Sequence, residues 1–152
     1  MKIVTGRTIG VVACTCIVFA ASAVQASDAL QAIVGSYLEI HAQLATDKID
    51  SIKVPAAALA TRAAGLGPGG ADMAKAAKAV ADAPDLKAAR EAFGVLSDAV
   101  VAAAKMEGWK DLGNVKLAFC PMARRSWLQK EDKIRNPYYG SAMLDCGEFK
   151  KP

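Results

Sequence analysis

Asp28-Ala-Leu30-Gln-Ala-Ile33-Val34-Gly-Ser-Tyr37-Leu38-Glu-Ile-His41-Ala-Gln-Leu44-Ala-Thr46 is the stretch on which the fold turns. Leu30, Ile33, Val34, Tyr37, Leu38, His41 and Leu44 recur at steps of three and four, which is the stripe of an amphipathic helix with Ser27 or Asp28 as its N-cap. Downstream, Pro55 forces a second helix either to start near it or to kink there, with Ala64 as its end. The run Gly65-Leu-Gly-Pro-Gly-Gly70 breaks any helix. A short alanine-rich helix over Ala71 to Ala81 presents Met73, Ala76, Ala77 and Val80 on one side. A stronger one after Asp82, with Pro84 in its first turn, carries Leu86, Ala89, Phe93, Leu96, Val100 and Ala103 as far as Met106. Gly94 and Ser97 lie near its seam, where small side chains let helices approach.

These stripes predict an all-α fold: an antiparallel bundle of about four helices over 27–108, with an irregular C-terminal cap over 109–152. Composition agrees. The chain has 152 residues, 53% hydrophobic and only 6% aromatic, with a net charge of +4. Alanine supplies much of the apolar content, which favours helices in close contact over a broad sheet. The small charge excess excludes a dedicated nucleic-acid binder.

The first 26 residues read as a signal peptide. Lys2 and Arg7 precede an apolar run from Ile9 to Val24, and Val24-Gln25-Ala26 offers small residues for cleavage after Ala26. The run is too short for a good spanning helix. Val11-Val-Ala-Cys14 has the form of a lipobox, but the apolar run continues past Cys14, which favours the ordinary secretory reading. The mature chain, residues 27–152, is then one periplasmic domain of about 126 residues with no transmembrane span. It keeps two cysteines, Cys120 and Cys146.

From Trp109 onward the helical period is lost. This segment holds six of the nine aromatics and carries nine Lys/Arg against five Asp/Glu, whereas 27–108 carries eight against ten. One short helix is expected around Ser126 to Lys130, and a turn at Asn136-Pro137-Tyr138-Tyr139-Gly140. Arg124, Arg125, Lys130, Lys133 and Arg135 make a basic cluster that Glu131 and Asp132 interrupt, so a solvated face is the default reading and an anionic surface or partner the functional one.

Cys120-Pro-Met122 and Met143-Leu-Asp-Cys146 each pair a thiol with a thioether. If the two segments meet they form an S4 site suited to a soft ion such as Cu(I), and His41, the only histidine, could add an imidazole. The alternative is a disulfide: two cysteines in an exported domain commonly pair, and closing a loop of about 27 residues stabilises by roughly 3 to 4 kcal/mol. A disulfide removes the thiolates but leaves Met122, Met143 and His41 as a weaker copper site; taken singly, the methionines also read as core fillers and His41 as a buried, hydrogen-bonded imidazole. Trp127, Tyr138 and Tyr139 are expected to pack the tail onto the bundle with their polar atoms bonded. The glycine-rich run has no Walker lysine, and no nucleophile elbow or spaced acidic pair appears, so an enzyme is not expected.

The tail blocks Phe119-Cys120-Pro121-Met122-Ala123, Trp127-Leu128, Asn136-Pro137-Tyr138-Tyr139-Gly140 and Met143-Leu144-Asp145-Cys146-Gly147, together with Tyr37-Leu38-Glu39-Ile40-His41, give the chain a resemblance. It resembles an uncharacterised family of bacterial periplasmic domains, also found attached to membrane-fusion adaptor subunits of heavy-metal efflux pumps. The spacer between Ala123 and Trp127 is shorter than in many members. The resemblance implies a periplasmic domain associated with metal resistance, with an envelope protein or efflux component as partner, and supplies no ligand set of its own.

Overall fold

The computed structural model describes residues 19–109 and 112–151. The leader residues 1–18, including Cys14 and the lipobox reading, lie outside the described residues. Four α-helices form the larger part: α1 (Phe19–Leu44), α2 (Lys53–Ala64), α3 (Ala71–Ala81) and α4 (Leu86–Glu107). α1 meets α2 and α4, α2 meets α3, and α3 meets α4, so the four close into a ring around a shared core.

The helix ends come from local chemistry. α1 is already helical at Phe19, the first described residue, so no N-cap near Ser27 begins it; the alanine-rich stretch before Ser27 favours the helix as strongly as the residues after it. Its buried face is wider than the stripe suggested: Ile40 is fully buried with Ile33, Tyr37 and Leu44, while Leu38 is only partly so. A short 3-10 turn, Ile49–Ser51, leads into α2, and Pro55 falls in the first turn of α2, where its missing N–H costs nothing. α4 begins one residue after Asp85, whose carboxylate accepts the Ala88 amide at 2.8 Å. Pro84 therefore precedes the cap instead of occupying the first turn.

The fold is not purely all-α. The cap contains an antiparallel sheet of three strands, β1 (Lys116–Cys120), β2 (Arg125–Gln129) and β3 (Glu148–Lys150), in the order β2-β1-β3. The helix expected around Ser126 to Lys130 is strand β2. The hairpin turn Pro121–Arg124 reverses the chain between β1 and β2, with Arg124 in the left-handed region at φ 52°. Leu117 pairs with Leu128 and Ala118 with Trp127, and on the other side Ala118 pairs with Phe149. β2 lies against α4 and α1, which is how the sheet joins the bundle. The close approach at Gly94 is to this sheet: a side-chain carbon there would run into the Arg125 side chain. Among the described residues no helix is long and apolar enough to cross a membrane.

Candidate functional site

Polar groups buried between bundle and cap position the site. The Tyr37 hydroxyl lies 2.6 Å from Ser97 Oγ and accepts the Leu128 amide at 3.2 Å. Ser97 donates to the Ser126 carbonyl at 2.8 Å, and the Tyr138 hydroxyl donates to that same carbonyl at 2.7 Å. One carbonyl of β2 thus ties α4 to the 136–140 turn. The Tyr37 ring stacks on Phe93 at 5.0 Å, and Phe93 and Trp127 both touch the Tyr138 ring, at 6.0 and 5.8 Å. Burial raises the Tyr138 hydroxyl above its ordinary value, and Tyr37 likewise, so both stay neutral donors.

Gln129, fully buried, arranges the loop after β2. Its amide oxygen accepts from Trp127 Nε1 at 2.9 Å and from the Arg135 amide at 3.1 Å, and its nitrogen donates to the Glu131 and Lys133 carbonyls. Asn136, equally buried, folds the next turn. Its Oδ1 accepts the Tyr138 and Tyr139 amides, an arrangement that Asn favours at a turn start. Its Nδ2 donates to the Cys146 carbonyl at 2.6 Å, while its backbone amide donates to the Leu144 carbonyl at 2.7 Å. Gly140 closes the turn at φ 54°, where a side chain would overlap Asp47 and Arg90. Arg90 pairs with Asp47 and donates to the Leu44 and Pro137 carbonyls, and Asp47 accepts from the Ser141 amide and hydroxyl.

The same framework brings Cys120 and Cys146 together. β3 pairs Glu148 with Phe119. Carried one residue further, that antiparallel register sets Cys120 beside Gly147, next to Cys146. Gly147 has φ 145° and lies so close to the Trp127 ring that a side-chain carbon would be 2.8 Å from it, so only glycine fits there. The two sulfurs lie 3.3 Å apart as free thiols. Cys120 is fully buried and Cys146 partly exposed. Each stands in a turn that contains a methionine: the Ala123 amide donates to Cys120 Sγ at 3.4 Å across Met122, and the Cys146 amide donates to the Met143 carbonyl at 3.1 Å.

Burial pushes the Cys120 thiol up, but hydrogen bonds from the Ala123 amide, the Cys146 thiol, the Asn136 side chain and the Met122 amide outweigh it, and the net shift is downward. Cys146 moves the other way, first through its hydrogen bond to Cys120, then through burial and the charge on Cys120.

Its separation sets its chemistry. Two sulfurs each about 2.3 Å from a metal at a tetrahedral angle lie about 3.8 Å apart, and a disulfide brings them to about 2.05 Å. At 3.3 Å the pair needs about 0.5 Å of opening for the first and about 1.3 Å of closing for the second. Two thiols match the donor preference of a soft monovalent ion.

The other residues of the sequence reading are placed differently. His41 is buried with Nε2 2.8 Å from the Arg135 carbonyl, and burial lowers its pKa, so it is a neutral imidazole donating there. It does not join the thiols: among the described residues no group of three or more His, Cys, Asp or Glu side chains gathers as it would around a metal. Met122 stands at the hairpin turn with 61% of its surface exposed, and Met143 is half-buried. Trp127, Asn136, Pro137, Tyr138, Tyr139 and Gly140 build the wall and turn behind the pair. The basic cluster is partly neutralised, since Arg125 pairs with Asp98 at 2.5 Å.

Gln129, Arg90 and Asp47 escaped the sequence reading. Gln129 alone carries a signal, a polar residue straight after the apolar Trp127-Leu128; Asp47 and Arg90 stand among other polar and charged residues. No family model, curated protein or solved structure matches this chain.

Proposed function

We propose that this protein is an exported cell-envelope domain that holds a soft monovalent ion such as Cu(I) between Cys120 and Cys146 and passes it on within a metal-resistance or efflux system. The observation that carries the reading is the meeting of two thiols from distant segments, each in a turn with a methionine, at a spacing that a small opening converts to metal coordination. Met122 and Met143 serve as exchangeable thioethers, so that the ion changes ligands one at a time. His41 belongs to the scaffold and not to the ligand set. The leader and the resemblance of the tail blocks support the location and the metal association.

Cu(I) competition against a chromophoric chelator, under reductant, tests this. Tight one-to-one binding is expected, lost in Cys120→Ser/Cys146→Ser and weakened less in Met122→Leu/Met143→Leu. Unchanged affinity in a variant lacking all four sulfurs overturns the reading.

A second reading rests on the same adjacency: a disulfide-stapled interaction module with no metal role. An open cleft of about 660 Å³ between the start of α4 and the hairpin, lined by Leu86, Arg90, Ala123, Arg125 and Tyr139, gives it a surface on which an envelope protein could dock. In that case the protein from the periplasm alkylates only after reduction, reduction destabilises it by about 2 to 4 kcal/mol, and copper leaves it unchanged.

A further inference from the structure

The two sulfurs are not equivalent, and the difference gives them separate chemical tasks. Cys120 ends β1 beneath the hairpin turn and has no exposed surface. No external sulfur can line up behind it. Cys146 is partly exposed, and the residues flanking it on the outer segment, Asp145 and Glu148, are exposed. Its backbone is nevertheless fixed by the Asn136 bond to its carbonyl, so its sulfur stays 3.3 Å from Cys120.

We infer that Cys120 and Cys146 form a thiol–disulfide exchange site for a low-molecular-weight thiol or disulfide of the glutathione type, with Cys146 as the sulfur that meets the co-reactant and Cys120 as the resolving and leaving sulfur. In the oxidising direction Cys146 passes its proton to the neighbouring Cys120 sulfur, 3.3 Å away, and attacks one sulfur of the incoming disulfide. A bond forms between Cys146 and that half, the original S–S bond breaks, and the other half leaves as a thiolate that takes up a proton. Cys120 then attacks Cys146 Sγ, closing the internal disulfide and expelling the second half. Two protons and two electrons have passed from the pair to the co-reactant. In the reducing direction a thiolate attacks the exposed Cys146 Sγ, and Cys120 departs as a thiolate that the Ala123 amide receives. A leaving sulfur so received speeds the exchange.

The inference deepens the sulfur-site reading, since only the reduced pair can coordinate an ion, but it rests on that reading solely for the meeting of the two thiols. Its test is free of metal. The reduced protein is exposed to limiting glutathione disulfide, quenched in acid and mapped by peptide mass spectrometry, alongside Cys120→Ser and Cys146→Ser. The expected result is a stable glutathione adduct on Cys146 in Cys120→Ser, and an adduct at least about tenfold slower to form in Cys146→Ser. The wild type should pass to the internal disulfide and return from it with excess glutathione.

An adduct formed first on Cys120, equal rates in the two variants, or an internal disulfide that glutathione does not open would each overturn the proposal. Should Cys120→Ser fail to fold, limiting alkylation of the reduced wild type decides instead: Cys146 must be modified first. Exchange without copper binding defeats the metal reading alone, and copper binding with Cys120 reacting first defeats this one alone.

Discussion

Helices α2 and α3 bury Ala56, Leu59, Ala63, Met73, Ala76, Ala77 and Val80, apolar side chains, most of them small, that carry no polar N–H or oxygen to satisfy. The cap buries Gln129 and Asn136, and each makes at least three hydrogen bonds to other parts of the chain. The first region is ordered by area removed from water, the second by the cost of leaving buried donors and acceptors unpaired. Deleting methylenes should therefore damage the bundle most, and changes of a single polar atom should damage its junction with the cap.

The largest effect is expected where both kinds of order meet. Phe93→Ala removes the ring between Tyr37 and Tyr138 and should cost about 3 to 5 kcal/mol in urea unfolding. Helical circular dichroism and tryptophan fluorescence should shift together; separate midpoints would show that bundle and cap unfold independently. Tyr37→Phe keeps the ring but strands the Leu128 amide and deprives Ser97 of a partner. A loss of about 1 to 3 kcal/mol is expected, with hydrogen exchange quickening in β2 more than in α2 or α3.

Asp85→Ala acts on the bundle alone. It removes the cap of α4 and should cost about 1 kcal/mol, with faster exchange in the first turn of α4 and none in the sheet. The smallest effect concerns pH. The Ser141 hydrogen bond lowers the Asp47 carboxyl, burial opposes this, and Arg90 lowers it further. An acid weaker in the unfolded chain than in the fold stabilises above its ordinary value of 3.8 and loses that contribution as pH falls through the folded value. Asp47→Asn, which also suits the left-handed backbone at φ 60°, should flatten this acid limb. The side chain is 31% exposed, so the change of slope should be slight.

The helices were legible because their burial repeats at a local period. α3 runs over the predicted residues, while the glycine-rich run ends α2 but carries a short 3-10 helix of its own, Gly67–Gly70, instead of breaking every helix. β2 was not legible. Trp127, Leu128 and Gln129 are buried in succession, because the strand is covered on both faces, and a strand of that kind shows no alternation. Gln129 within it reads as a surface residue until the loop it supports is known. In the candidate site, the two Cys–Met segments could be read as a pair, since their chemistry is local. The exclusion of His41 could not, because it depends on the Arg135 carbonyl, 94 positions away in the chain.

Placement of β3 after β1 and β2 in the chain has a bearing on biogenesis. β1 and β2 are joined by a short turn and can pair as soon as both have been synthesised, but the other edge of β1 stays open until Glu148–Lys150 arrive. Through that interval a growing chain displays an unpaired strand edge and a lone Cys120 thiol, the two features most prone to recruit a wrong neighbour. Residues 148–150 act as the closure, covering the edge and delivering Cys146 to its partner in one movement. A chain cut short before Cys146 would keep its four helices and leave the edge of β1 and the Cys120 thiol uncovered.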